Sequence, residues 1–239
     1  MPKGNGIVRN TQLVYGNYCT INGCNSTRKS GHRYCPFHKR ILIYRGDAEQ
    51  SRIQPRTITF ALKSVQLLAI ENRSNPAWGE LMEAIGKNWD RASLHVNTEL
   101  NKYSEGRAMS RPYINGLKIC YDIFNNLGLE KAFLIYCAWQ YLQEQNPHQF
   151  ITDTAFRHQV VRSLRSKAKS FNANDIDKRT GKPKKYSSPL YMTERDTVWE
   201  IMSQVFGATG IRLYEQVEKR AERIRLNKEK IYAAIRRIE

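Results

Sequence analysis

The sequence predicts a mainly α-helical protein with a small Cys/His-rich module at its N-terminus. Beyond residue 57, apolar residues recur three and four positions apart, which is the period of helices with one buried face. Asn75-Pro76 and Ser110-Arg111-Pro112 are typical helix starts, because Pro is favoured in the first turn of a helix. The chain has 239 residues, of which 41% are hydrophobic, so it can bury a core without disulfide bonds.

The N-terminal module, predicted over residues 1–50, contains four side chains at the spacing C-x4-C-x10-C-x2-H. They are Cys19, Cys24, Cys35 and His38. Thiolate and imidazole are ligands that Zn²⁺ prefers, and two close pairs separated by a loop can close a tetrahedron around one ion. We therefore predict a structural Zn²⁺ at these four residues. His32 is an alternative to His38, but the two-residue gap after Cys35 favours His38.

The residues around these ligands fit such a site. Asn22-Gly23, between the first two cysteines, can supply the positive φ that a metal-gripping turn needs. Pro36 suits the first turn of a helix, and this would place Cys35 and His38 on one side of a basic helix. A disulfide is disfavoured, because three cysteines leave one unpaired.

This region resembles the short treble-clef-like zinc fingers of phage and mobile-element DNA-binding proteins, a type sometimes attached to HNH endonucleases. Three segments carry the resemblance: YCTINGC at 18–24, GHRYCPFHKR at 31–40 and YRGD at 44–47. They share the small loop after the first Cys, the Cys-x2-His that enters a basic helix and the closing Arg-Gly-Asp. The resemblance implies a zinc-supported, DNA-contacting module in a phage-like setting, and it does not extend to residues 57–239.

Charge is distributed unevenly along the chain, whose net charge is +17. Residues 1–56 carry +8, residues 57–150 are neutral, residues 151–191 carry +7 and residues 192–239 carry +2. Basic residues that served only solubility would be spread out, so two basic segments predict a polyanionic partner. We expect this partner to be DNA, with RNA as an alternative. The candidate contacts in the module are Arg28, Lys29, Arg33, Lys39 and Arg40.

A helical domain is predicted over residues 57–239, after a polar linker at 50–56. The predicted helices of its first half are Ile58–Ile70, a helix starting at Pro76, Tyr113–Leu127 and Leu129–Leu142. The last of these is apolar on all sides, which is typical of a helix at the centre of its domain. Cys120 and Cys137 lie in the two most apolar helices and are interpreted as inert core residues.

Residues 129–191 have the element order of a winged helix-turn-helix: the central helix, a break, a basic helix at Thr154–Ser170 and a hairpin candidate at 172–190. Thr152-Asp153 is predicted to cap the basic helix, and its inward-facing residues would be Phe156, Val160, Val161 and Leu164. Its groove face would carry Arg157, His158, Arg162, Arg165, Lys167 and Lys169, and the wing tip would carry Lys178, Arg179, Lys182, Lys184 and Lys185. The alternative is an ordinary basic amphipathic helix followed by a flexible loop.

Two further helices complete the chain. Thr193 is predicted to cap the first of them, which ends at Gly207. A long C-terminal helix is predicted at 209–238, where apolar residues alternate three and four apart and Lys228 interrupts the seam. Docking of this helix onto its own domain and self-association through 211–238 are both open interpretations.

These patterns favour a phage-like DNA-binding protein that acts in regulation of transcription or replication, with the transcription or replication machinery as a further partner. The alternatives are a DNA endonuclease or DNA-processing enzyme with a non-motif active site, and a nucleic-acid coating or packaging protein. HNH, Walker, Rossmann and HExxH patterns are absent from the sequence, so an enzyme is the less favoured hypothesis. Without a secretory signal or an apolar run of roughly 20 residues, we expect a cytoplasmic protein with no membrane contact.

Overall fold

The computed structural model describes residues 18–168, 189–207 and 209–235. Eight α-helices make up most of this described part. Its β-type pairing is limited to an isolated antiparallel bridge between Tyr18 and Thr27. The prediction of a mainly α-helical protein is therefore confirmed.

In chain order the helices are α1 (Pro36–Arg45), α2 (Pro55–Glu71), α3 (Pro76–Ser104), α4 (Arg111–Asp122), α5 (Leu129–Gln145), α6 (Asp153–Ala168), α7 (Met192–Phe206) and α8 (Thr209–Ile235). A π-helical turn, Ile123–Leu127, extends α4, and a 3₁₀ turn, Pro147–Gln149, follows α5. Helix α4 and its π-helical turn fill the span predicted as one helix up to Gly128, which has a φ of 79°.

Proline lies in the first turn of each of the first four helices. The predicted starts at Pro76 and Pro112 are confirmed, and the Asn75 side chain caps α3 by accepting a hydrogen bond from the amide two residues on (3.0 Å). The linker predicted at 50–56 is too long, because Pro55 begins α2 instead of closing the linker. The fixed φ and missing N–H of proline suit it to that first position.

The cap predicted at Thr193 is wrong, because α7 begins at Met192. The amide of Tyr191 donates to Glu194 Oε2 (3.1 Å), so the carboxylate satisfies a backbone donor at the start of the helix. The predicted end of this helix at Gly207 is confirmed, and the Gly207 amide donates to the Ser203 carbonyl (2.8 Å).

Helix α5 forms the centre of the helical core. All eleven residues from Ala132 to Leu142 are buried, and all but Gln140 are apolar or aromatic, as predicted for a central helix. The helix packs against α2, α6 and α8, and Phe133 and Tyr136 both contact the ring of Phe206 in α7. Cys120 and Cys137 are buried in this core, and burial raises the pKa of both thiols, in agreement with their interpretation as inert residues.

Helix α6 follows α5 after a connection that contains the 3₁₀ turn. The Thr152 hydroxyl accepts a hydrogen bond from the Ala155 amide (3.2 Å) and so caps the helix where the sequence predicts it. The residues predicted to face inward are all buried: Phe156, Val160, Val161 and Leu164. A winged helix-turn-helix is not confirmed, because the predicted hairpin lies outside the described residues except at 189–190.

Helix α8 has two different halves. Leu213 and Val217 are buried against the core, and Arg220 pairs with Glu71 of α2 (2.5 Å). From residue 221 to residue 231 every side chain is exposed. The first half therefore docks onto its own domain, and the second half extends away from it. No helix in the described part of the chain is both long and apolar enough to cross a membrane.

Candidate metal centre and basic surface

The first two cysteines lie at the two ends of a tight turn. The Cys24 amide donates to the Ile21 carbonyl (3.1 Å), and Gly23 has a φ of 74°, as predicted for this position. The Cys19 amide donates to the Ser26 carbonyl (3.0 Å), which folds the chain back after the turn. These backbone bonds bring both thiols to the same side of the loop.

The other two ligands lie at the start of α1. Cys35 is the residue before the helix, Pro36 is its first residue and the Lys39 amide donates to the Cys35 carbonyl (2.9 Å). The three-residue spacing places Cys35 and His38 on one side of the helix, as predicted, with 3.4 Å between Cys35 Sγ and His38 Nδ1.

The four ligand atoms of Cys19, Cys24, Cys35 and His38 all lie within 4.8 Å of one another. Cys19 Sγ is 3.3 Å from His38 Nδ1, and Cys24 Sγ is 3.9 Å from Cys35 Sγ. With zinc–sulfur bonds of about 2.3 Å, two thiolates at tetrahedral corners lie about 3.8 Å apart. The cluster is close enough to hold a metal ion, and its spacing is consistent with zinc. His32, the alternative ligand, is exposed and lies outside the cluster.

The protonation of these thiols depends on their neighbours. Burial raises the pKa of Cys19, but hydrogen bonds from the amides of Cys35 and Ile21 and from the side chains of His38 and Cys35 outweigh it and bring that pKa to about 6. For Cys35, a bond from the His38 amide lowers the pKa, but burial and the thiols of Cys19 and Cys24 raise it. The cluster thus stabilises a first thiolate, and a cation at its centre would favour further deprotonation.

Comparisons of the chain with protein-family models, with curated proteins and with solved structures found no match. Within the described ranges, this cluster is the one group of three or more His, Cys, Asp or Glu side chains whose ligand atoms lie close enough for a metal ion. Its arrangement is compatible with a small zinc finger.

Residues 45–50, the C-terminal end of the module, attach it to the helical core. We call these residues the docking corner. Helix α1 ends at Gly46, which has a φ of 85°. Two side chains of α6 donate to the last carbonyls of α1: Gln159 Nε2 to Arg45 (3.2 Å) and Arg162 Nη1 to Tyr44 (3.0 Å). Because helix-end carbonyls lack partners within the helix, these bonds fix α1 against α6.

The rest of the docking corner bonds to the connection before α6. Thr152 Oγ1 donates to Asp47 Oδ2 (3.1 Å). Gln50 is buried, donates from Nε2 to the Gln149 carbonyl (2.9 Å) and accepts at Oε1 from the Ile151 amide (3.1 Å). The sequence analysis missed Gln50, because its partners lie 99 and 101 positions along the chain and no local pattern identifies them.

His158 lies beneath the docking corner instead of on an open groove face. A Cβ placed on Gly46 would lie 2.4 Å from the His158 Cβ, so only glycine allows this approach. Burial, followed by the positive charges of Arg195, Arg162 and Arg165, lowers the pKa of His158 to about 4. The imidazole is therefore neutral at pH 7.

The basic residues predicted in the module divide into two groups. Arg28 Nη1 donates to the His32 carbonyl, and the Arg33 guanidinium lies 5.5 Å from the ring centroid of Tyr34, so both arginines support the loop. Three other cations are exposed and form no ion pair within the described ranges: Lys29, Lys39 and Arg40. Among the lysines and arginines of the module at 18–44, these three are the ones whose side chains form no hydrogen bond, ion pair or ring contact with another described residue.

The basic residues predicted on α6 form more contacts with other side chains and carbonyls than those of the module do. Arg157 pairs with Asp153 and lies 5.5 Å from the ring of Trp199, and Arg162 bonds to α1. Arg165 is half-buried, and its burial lowers its pKa. Lys167 is exposed. The remaining candidates lie outside the described residues: Lys169, Lys178, Arg179, Lys182, Lys184 and Lys185.

Proposed function

We propose that this protein is a zinc-containing DNA-binding protein that acts in regulation of transcription or replication, and that its N-terminal module is the principal DNA contact. The observation that carries the proposal is the free charge of the module. Lys29, Lys39 and Arg40 are exposed without ion-pair partners in the described ranges, and residues 18–46 contain no Asp or Glu. A surface of one sign attracts a polyanion, and phosphate contacts of this kind supply much of the affinity for DNA.

Zinc is the metal that the donor set supports. Three thiols and one imidazole are soft to borderline ligands, which suit Zn²⁺ far better than Mg²⁺ or Ca²⁺. Four protein ligands leave no open coordination position, so the ion would have a structural role. The module has few buried side chains, so a metal would supply most of the energy that holds its loop to α1.

The contacts of α6 support the module, and not α6, as the main DNA contact. Arg157 and Arg162 are held by Asp153, Trp199 and the end of α1. A groove-reading helix presents such residues to base edges. Lys167 would then add a phosphate contact, and the basic segment 169–188, which lies outside the described residues, would add positive charge.

Selection of the zinc-loaded full chain against a random duplex DNA library at physiological salt tests the proposal. We expect enrichment of a defined sequence. Lys29→Gln, Lys39→Gln and Arg40→Gln together should weaken binding to that sequence and flatten the slope of log K against log[salt] by about one unit for each phosphate that is no longer neutralised. The matched control replaces three exposed lysines of the neutral region by Gln: Lys63, Lys118 and Lys131.

The competing hypotheses give different results in the same assays. Binding without any enriched sequence would favour a coating or packaging protein. Metal-dependent cleavage of plasmid DNA would favour an endonuclease. Arg157→Ala and Arg162→Ala could weaken binding to the enriched sequence only, while the module variant weakens binding to the enriched sequence and to random DNA equally. That result would make α6 the specific contact and contradict our assignment of the module.

A further inference from the structure

A groove runs between the module loop and α1. Its cavity volume is about 440 Å³. Lys29, His32 and Tyr34 of the loop line one side, and Lys39, Arg40 and Tyr44 of α1 line the other. Pro189, which precedes α7, closes one end.

The groove is lined by cations and by no carboxylate of the described residues. Lys29 of the loop and Lys39 and Arg40 of α1 all line the groove, and none of them forms an ion pair with a described residue. A phosphodiester chain passing along it would meet donors on either side. The carbonyls of Tyr44 and Arg45, which would repel phosphate, instead accept bonds from α6.

Part of the groove lining is apolar and aromatic. Tyr34, Ile43 and Tyr44 all line the groove and are half-buried, so part of each side chain stays accessible to a ligand. The guanidinium of Arg33 lies 5.5 Å from the ring centroid of Tyr34 and helps to hold that ring in place. Cations alone would suit any polyanion, but half-buried rings between cations need a ligand with flat apolar faces.

We propose that this groove binds an unpaired nucleotide of a single-stranded nucleic acid segment, with a base stacked on Tyr34 or Tyr44 and the adjoining phosphates on Lys29, Lys39 and Arg40. The inference rests on the proposed function and deepens it, because it names the form of nucleic acid that the module recognises. In a duplex the base faces are stacked on each other, which leaves base edges and phosphates available, whereas a single strand exposes base faces together with phosphates. The protein would thus favour melted or gapped DNA.

The test uses the zinc-loaded full chain and two fluorescent probes of equal strand length, an oligothymidylate and a mixed-sequence duplex, in anisotropy titrations. We expect Tyr34→Leu and Tyr44→Leu each to weaken binding of the single strand at least tenfold and binding of the duplex less than twofold. Tyr34→Phe, which keeps the ring, should bind the single strand within twofold of the unchanged protein. Tyr18→Leu is the matched control, since Tyr18 is an exposed tyrosine of the same module outside the groove.

Each outcome supports or overturns the inference. Equal losses on the two probes for the Leu variants, or no loss on either, would overturn the groove as a base site while leaving DNA binding by the module in place. Binding of the duplex alone by the unchanged protein would do the same. Failure to bind either probe would overturn both proposals. A Leu variant that loses zinc or helical structure cannot be compared with the unchanged protein. In that case the decision rests on Tyr34→Phe and on crosslinking of a bromodeoxyuridine-containing single strand to Tyr34 of the unchanged protein. Absence of that crosslink would overturn the inference.

Discussion

At the scale of single residues, the metal ligands reach one point through two local devices. The positive φ of Gly23 closes the turn between Cys19 and Cys24, and the helical spacing presents Cys35 and His38 together. Each device is contained within a few residues. Each ligand pair is therefore set by short-range geometry, and a bound metal ion would add a link between loop and helix.

Replacement of one ligand should release the metal. We expect about one zinc per chain by elemental analysis of the unchanged protein, and near-complete loss of zinc in Cys35→Ser, because three ligands bind far more weakly than four. His32→Ala is the control, since His32 is a histidine of the same loop outside the cluster. Full zinc content in Cys35→Ser, or an amide NMR spectrum of residues 18–46 that is unchanged on chelation, would contradict a structural zinc.

His158 should make the stability of the protein depend on pH. Its folded pKa of about 4 is below its ordinary value of about 6.5, so folding favours the neutral imidazole. The resulting stability is present above pH 6.5 and is lost as the pH falls through 6.5 toward 4. Between pH 7 and pH 5 this loss is on the order of 2 kcal/mol.

The measurement is the free energy of unfolding by urea at several pH values, for the unchanged protein and for His158→Gln. Acid also protonates the zinc ligands, but that contribution is common to both proteins and cancels in their difference. We expect the variant to have the shallower pH dependence. Parallel curves for the two proteins would show that the imidazole does not titrate on unfolding in this range.

At the scale of elements, α8 combines a docked half with an exposed half. Ile224 and Ile231 lie in the predicted heptad seam and are 40% and 59% exposed. An apolar seam in water is stabilised by pairing with another helix, as in a coiled coil. The docked first half leaves this seam accessible to a second copy of the chain.

We expect self-association through the second half of α8, measured by sedimentation equilibrium over a range of protein concentrations. Ile224→Gln with Ile231→Gln should shift the protein toward monomer, because the variant loses apolar surface at the seam. Leu226→Gln is the control, since Leu226 is 44% exposed but lies outside the seam. A protein that is monomeric at every concentration would show that the seam does not pair with itself.

At the scale of the whole molecule, the docking corner joins the module to the helical core through hydrogen bonds from both sides. Asp47 and Gln50 reach across to the connection before α6, and α6 returns two side chains to the end of α1. The groove between loop and α1 is thereby held at a fixed position relative to the core. Nucleic acid bound there would also lie beside Pro189, where the second basic segment rejoins the described chain.

The stability of the docking corner should depend on the buried side-chain amide of Gln50. Gln50→Leu keeps much of the side-chain volume but leaves the Gln149 carbonyl and the Ile151 amide without their partner, at a cost of about 1–3 kcal/mol. We expect a matching fall in the free energy of unfolding and faster hydrogen exchange at the Ile151 amide. Gln54→Leu is the control, because Gln54 is exposed and forms no capping bond. Equal stability of the two variants would contradict the role of Gln50.

The sequence by itself determined the features that depend on neighbouring residues. Ligand spacing predicted the Cys/His cluster, Asn-Pro and Thr-Asp pairs predicted helix starts, and an uninterrupted apolar segment predicted that α5 is central. Local rules also misplaced two helix starts: α2 begins at Pro55 and α7 begins at Met192, before the predicted cap Thr193. In both cases the helix began a few residues before the predicted position.

Packing between elements sets most of the contacts that the basic residues form. Sequence alone assigned Arg157 and Arg162 to an open face, but folding places them against Asp153, Trp199 and the end of α1. It also buries His158 and brings Pro189 to the groove of the module. The Asp153–Arg157 pair lies within one helix, four positions apart, but the other contacts join residues that lie tens to more than a hundred positions apart. Periodicity and spacing describe one element at a time, so the partner that covers a charged side chain is set by packing between elements.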